Sequence, residues 1–197
     1  MSLQTIVSLT LLAMLVFWAV GAYNRLVRLK NVIANAFGQV DVQLKRRYDL
    51  IPNLVEAAKK YLAHEQAALE AVIAARNQAR SASDAVRIRP GKADAVIALA
   101  AAEQTLDGSL VRLFALAEAY PDLKADQTIR ELSEELTTTE NKVGFARQAY
   151  NDAVLDYNNA QGQFPALLLA RLFGFTPSAM LQSTEDVVEC QAVRIKM

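Results

Sequence analysis

The chain has 197 residues, with 21 Lys and Arg against 21 Asp and Glu, so a formal charge of zero exerts no global pull toward nucleic acid or an acidic surface. A single cysteine, Cys190, excludes an internal disulfide and reads as an ordinary free thiol suited to a reducing compartment. Only 7 Gly and 5 Pro interrupt the chain, which favours helix over strand.

The first element is Met1 to Asn24, which contains no Asp, Glu, Lys, Arg or His, so the first side-chain charge is Arg25. Leu3 to Tyr23 is almost entirely apolar, and about 20 such residues in a helix span the roughly 30 Å hydrocarbon layer of a bilayer. A secretory leader is the rival reading, with Ala19-Val20-Gly21 as its cleavage site, but no Lys or Arg precedes the apolar run. Arg25, Arg28 and Lys30 follow at once, so the N-terminus is expected outside and the remainder in the cytoplasm. Trp18 and Tyr23 fall at the interface, where amphipathic rings are favoured.

From Arg25 to Tyr48, apolar residues at Leu26, Leu29, Ile33, Phe37, Val40 and Leu44 keep a rhythm of three and four, which predicts an amphipathic helix continuing out of the anchor. Lys45, Arg46 and Arg47 read as a solvated helix end. Tyr48-Asp49-Leu50-Ile51-Pro52 is expected to reverse the chain tightly, with a kinked continuous helix as the alternative. Across that reversal Asp41, Arg46 and Arg47 are expected to pair with Glu56 or Glu65. A second helix is predicted over 52–82. The connection after it clusters Ser, Asp, Pro and Gly up to Pro90-Gly91, among Arg76, Arg80, Arg87, Arg89 and Lys92.

The third helix, about 92–119, places Leu99, Leu106, Leu113 and Tyr120 seven apart, with Glu103 expected at the edge of this seam. Tyr120-Pro121-Asp122 ends it. The fourth, about 126–161, has the cleanest seam, Ile129, Leu136, Val143, Tyr150 and Tyr157. Residues 165–173 form a short apolar helix, too short to span a bilayer. In the tail, 176–197, Val193, Ile195 and Met197 alternate with charges in a weak strand-like pattern.

The expected fold is therefore all-α: an anchor at 1–24, then a cytoplasmic antiparallel up-down four-helix bundle over 25–175, then the tail. Parity puts the Arg76–Lys92 loop and the 164–175 segment at the membrane end. It puts both Pro-bearing turns at the far end. Trp18, Tyr23, Arg25, Arg28, Lys30, Arg87, Arg89, Phe164, Leu168 and Phe173 are the candidate membrane-interface residues. Tyr48, Asp49, Pro52, Tyr120, Pro121 and Asp122 are the candidate partner-facing turn residues.

Several stretches resemble the bacterial LemA family. They are Gln39 to Glu56, Tyr61 to Glu65, Ala115 to Ala125, Thr139-Glu140-Asn141 and Ala146 to Asn151, with Tyr157-Asn158 and Phe164-Pro165. The resemblance covers about Tyr23 to Phe175, while the short tail departs from the longer, Pro-rich ends of the family. It implies a single membrane helix and a helical bundle, and brings no catalytic residues. Nothing in the residues adds any. His64-Glu65 lacks the second histidine of a zinc-protease helix, and His64 is the only histidine, so it reads as a surface or turn residue. Tyr61 stands where a di-iron bundle needs Glu. No cofactor, metal or nucleic acid is expected. The expected function is a non-enzymatic, self-associating membrane scaffold. A lipid-organising protein is the first alternative, and an accessory factor of another membrane protein, such as a protease, is the second.

Overall fold

A computed structural model of the chain describes residues 3–181. Six helices follow in order: α1 Leu3–Lys59, α2 Gln66–Ile88, α3 Ala93–Glu118, α4 Pro121–Ala125, α5 Gln127–Gly162 and α6 Ala166–Leu172. No strand occurs among the described residues. Cys190 and the alternating Val193, Ile195 and Met197 lie outside them. The anchor and the first core helix are one element of 57 residues, about 85 Å long. Along its first 20 residues apolar side chains such as Leu11, Met14 and Phe17 face outward, and from Leu26 onward one stripe turns inward.

That stripe meets the others in one core. Ile33, Phe37, Val40 and Leu44 of α1 share it with Leu69, Val72 and Ala79 of α2, Leu99, Leu106 and Leu113 of α3, and the whole α5 seam, Ile129, Leu136, Val143, Tyr150 and Tyr157. The heptads of α3 and α5 are therefore taken up inside the chain. α1 packs along α5 and α2, and α2 along α3. Close backbone packing of that kind is missing between α3 and α5, which leaves an opening down one side.

The expected reversal at Tyr48–Pro52 does not occur. Helix continues through Pro52, and the chain turns instead over Lys60 to Glu65. The predicted helices 25–48 and 52–82 become the end of α1 and α2. Energy and hydrogen bonding both explain this. A proline inside a helix costs about 3 kcal/mol, whereas Leu50, Ile51 and Leu54 are all buried around it, at about 1.5–3 kcal/mol each. Proline also removes the N–H that should satisfy the carbonyl of Tyr48. Arg76 of α2 replaces it, its Nε donating to Tyr48 O at 2.9 Å. The residue read as part of a basic loop thus repairs the helix that was read as broken.

The remaining turns follow local chemistry. Gly91 takes φ +79° between α2 and α3, a left-handed conformation that favours glycine. A Cβ there would also stand 2.6 Å from Ser178 Oγ. Pro121 opens α4 at its first turn. Asp126 caps α5 by accepting from the Ile129 N–H at 3.1 Å, and its other oxygen accepts from Tyr61 at 3.0 Å. The 60–65 turn and the α4–α5 corner are tied together by that contact.

Replacing Arg76 by Met should cost about 1–3 kcal/mol by leaving the Tyr48 carbonyl unanswered. In a Pro52→Ala background the restored N–H takes over, and the same replacement should cost less than about 1 kcal/mol. Chemical denaturation of the four proteins in detergent measures the coupling. Equal costs in both backgrounds would show that Arg76 does not support the proline.

Candidate functional site

At the middle of the core, Arg47 of α1 points inward and is almost wholly buried. Its Nη1 donates to Glu103 Oε2 at 2.9 Å, and its Nη2 reaches Asp107 and lies 2.9 Å from Glu140 Oε2. One cation therefore bridges α1 to carboxylates on both α3 and α5. Tyr48 donates to the other oxygen of Glu103 at 2.5 Å. A second knot lies one to two turns nearer the anchor, where buried Asp41 accepts from Lys45 at 2.7 Å and from Ser83 of α2 at 3.1 Å. Arg46 pairs with Glu135 on the surface. The expected pairings with Glu56 and Glu65 do not form. Glu103 lies in the interior and not at a seam edge, and Arg47 is no part of a solvated end.

The electrostatics follow from burial. Desolvation works against the Arg47 charge, but Asp107, Glu103 and Glu140 outweigh it and hold its pKa above the ordinary value. For Glu103 the balance goes the other way: burial lifts its carboxyl above the usual range, and Arg47 and the Tyr48 hydroxyl only partly oppose this. Burial, then the neighbouring Glu103 charge, push Tyr48 far up. With each group committed to the others, the cluster reads as a clamp between helices, and it offers no free base or nucleophile.

The membrane-interface candidates divide. Tyr23 packs edge-on against Phe173 and Phe175, with ring centroids 5.0 and 5.6 Å apart. Lys30 Nζ stands 6.0 Å from the Phe175 ring. Trp18, Gly21, Ala22 and Arg25 face Phe164 and Ala166 across a recess. α6 is held by Ala170, which is buried with Leu26 and Ala160, while Phe164, Leu168, Leu172 and Phe173 face outward. Arg25, Arg28 and Lys30 are exposed beside this end. Arg87 and Arg89 are exposed too, but the α2–α3 turn sits beside Ile33, about 15 Å along α1 from Tyr23. Arg76 is deeper still, against Tyr48.

Of the turn candidates, Tyr120 caps α4 at the corner after α3 and Pro121 and Asp122 form its exposed first turn. Tyr48, Asp49 and Pro52 do not form a turn. Tyr48 is buried against Glu103, and Asp49 lies 3.7 Å from Arg76 on the helix surface. Tyr61 takes their place at the far end, and His64 is exposed in the same turn.

Sequence reasoning missed a strap. Residues 175–181 run extended along α5 toward its N-terminus, and α5 side chains hold their backbone. Gln161 donates to Phe175 O, Tyr157 to Thr176 O and Tyr150 to Ala179 O, at 2.9–3.0 Å. Asn158 both donates to and accepts from Ser178, and Asn151 does the same for Leu181, at 2.8–2.9 Å. Ala179 N–H also donates to Gly91 O at 3.0 Å, which docks the α2–α3 turn on the strap. Burial pushes the Tyr150 hydroxyl up to about 12. The signal was the pair Tyr150-Asn151 and Tyr157-Asn158, seven residues apart, in which the tyrosines served the core reading and the asparagines were left unexplained.

Below Leu181 the opening between α3 and α5 becomes a groove. Glu103, Gln104 and Arg147 line its upper end with Leu181. Leu110, Phe114, Leu136 and Thr137 line a recess of about 290 Å³, and Phe114, Ala117, Ile129 and Arg130 one of about 320 Å³.

A family model described as LemA family matches residues 36–197. The match extends through the tail, beyond the Phe175 limit of the resemblance seen in the residues. No curated protein matches the chain.

Replacing Arg47 by Met leaves buried Glu103 without its cation, with the Tyr48 hydroxyl still donating to it, and should cost about 3–5 kcal/mol at pH 7. Without the guanidinium the folded pKa of Glu103 rises further above its unfolded value of about 4.3. Such a carboxyl costs stability above its folded pKa and none below its unfolded one, so the deficit should shrink as pH falls from 7 toward 4. Denaturation of both proteins across that range checks this. A deficit independent of pH would mean that Glu103 is not the group left uncompensated.

Proposed function

Because the chain belongs to the LemA family, we propose that it is a single-pass membrane scaffold that performs no chemistry of its own. In this reading it holds an antiparallel four-helix bundle against the cytoplasmic face of a bacterial inner membrane, with its N-terminus outside. One observation carries the reading. α1 is unbroken from the fully outward-facing apolar stretch into the buried stripe that begins at Leu26. A helix apolar all round, left exposed along most of its first 20 residues among the described residues, finds its missing burial in lipid. The bundle then inherits the orientation of the anchor through a rigid rod. Arg25, Arg28 and Lys30 at the point of exit support a cytoplasmic bundle.

The commitment of Arg47, Glu103 and Tyr48 to one another supports a structural role over a catalytic one. Self-association, part of the same proposal, falls to the anchor and the outer faces, since the seams serve the core.

Lipid organisation is the second reading, and α6 favours it. Its outward Phe164, Leu168, Leu172 and Phe173 lie beside the last turns of the anchor, at a depth suited to the headgroup boundary.

Trp18 is the only tryptophan and sits where the two readings meet. In the full chain reconstituted into vesicles, its emission should be quenched strongly by lipids labelled near the headgroup and weakly by lipids labelled mid-chain. Equal, negligible quenching by both would remove the anchor. Vesicles that keep their shape, with a particle mass above that of one chain, support the scaffold. Tubulated vesicles support lipid organisation, and a single-chain mass removes self-association.

A further inference from the structure

The anchor end of the molecule carries unbalanced positive charge. The stretch before Asp41 and the stretch 157–181 together contain Arg25, Arg28, Lys30 and Arg171, and neither contains Asp or Glu. Among the described residues none of these cations has a carboxylate partner. Membrane topology asks only for positive charge beyond the anchor, and Arg28 and Lys30 meet that need by themselves. Arg25 differs in where it stands. It lines the recess between α1 and the start of α6, whose volume is about 330 Å³, within the range of about 300–1,000 Å³ of small-molecule sites. Gly21 and Ala22 give the recess a low floor, and a Cβ at Gly21 would meet nothing within 4 Å. Phe164 stands opposite, and Gln163 adds an amide to the lining. Trp18 lines the recess two turns deeper in the anchor, about 10 Å along the helix from Arg25.

We infer that this recess binds one anionic phospholipid, with its phosphate on Arg25 and the start of an acyl chain over Gly21 and Ala22 toward Trp18. The inference rests on the reading of α1 as a membrane anchor. Its basis is the direction of the polarity. Along α1 the lining passes from a guanidinium to small residues to an indole, and that order runs into the bilayer. An amphiphile has such a gradient, whereas a soluble nucleotide or sugar does not. Arginine offers a phosphate two parallel donors. The unbalanced charge of Arg28, Lys30 and Arg171 favours a net negative headgroup over a zwitterionic one. A lipid seated there touches both α1 and α6, and it covers apolar walls that lie open, Phe164 among them. Holding one lipid is distinct from shaping a membrane, because the site needs a single headgroup per chain and no curvature.

Trp18, the only tryptophan, lines the recess and reports its occupant. The full chain is reconstituted into phosphatidylcholine vesicles holding a small fraction of lipid brominated near the carboxyl end of the acyl chain. Brominated phosphatidylglycerol should quench Trp18 more strongly than brominated phosphatidylcholine at the same mole fraction. Arg25→Gln should lower the apparent affinity for phosphatidylglycerol about fivefold to tenfold, and Arg28→Gln, outside the recess, by less than about twofold. Gly21→Leu fills the floor and should abolish the preference, with Ala22→Leu taking its place if circular dichroism shows a loss of helix. Inorganic phosphate should weaken the preference no more than chloride at matched ionic strength. Absence of quenching by either lipid would remove the anchor reading and the inference with it. Equal quenching by both lipids would overturn the inference and leave the anchor standing. Equal losses in Arg25→Gln and Arg28→Gln would replace the site with a diffuse surface attraction. An unchanged preference in Gly21→Leu would place the lipid elsewhere, and specific displacement by phosphate would give the recess to a soluble anion. Each of these three outcomes overturns the inference.

Discussion

The unbroken passage of α1 through Pro52 is the constraint on which the rest depends. A break there would make the anchor helix and the lower core helix separate bodies. Kept whole, α1 is a rod of about 85 Å that presents outward-facing apolar surface at one end and the shared core at the other. The passage is secured by a hydrogen bond from another helix, Arg76 Nε to Tyr48 O, in the place of the bond that proline cannot make. α2 is thus held to α1 by more than apolar contact.

Tyr48 sits at the junction of two devices. Its carbonyl takes Arg76, and its hydroxyl takes Glu103, which in turn takes Arg47. The proline repair and the buried charge cluster therefore share a residue, and together they involve α1, α2, α3 and α5. Buried ion clusters add little net stability compared with well-packed apolar groups, but they strongly penalise a wrong register. Around a core of interchangeable Leu, Val and Ala, with α3 and α5 not in close contact, such a penalty selects one arrangement of the helices.

The two ends of the molecule differ in kind. At the anchor end, aromatic rings from α1, α6 and the strap meet at Tyr23, Phe173 and Phe175, next to exposed apolar residues. At the other end, polar chemistry joins the turns, with Asp126 shared between the cap of α5 and Tyr61. The backbone hydrogen bond from Ile129, then the Tyr61 hydroxyl, hold the Asp126 carboxyl below its ordinary value, so this corner keeps its negative charge.

Periodicity and composition by themselves determined the long apolar N-terminal helix, the helical class, the seams of α3 and α5 and the start of the last long helix at Asp126. These depend on residues near in sequence, whose shared face follows from 3.6 residues per turn. The reversal at Pro52, the edge position of Glu103 and the solvated end at Arg47 were misread for one shared reason. Each depends on a group supplied by a different helix: Arg76 for the proline, Arg47 for Glu103, and three carboxylates for Arg47. The strap was invisible on the same ground, because backbone carbonyls at 175–181 leave no trace in residue identity and only Asn151 and Asn158 hint at them. Local pattern states which face of a helix is apolar. Only the tertiary structure decides which distant donor satisfies a buried carbonyl or charge, since that free energy exists only once the helices have met.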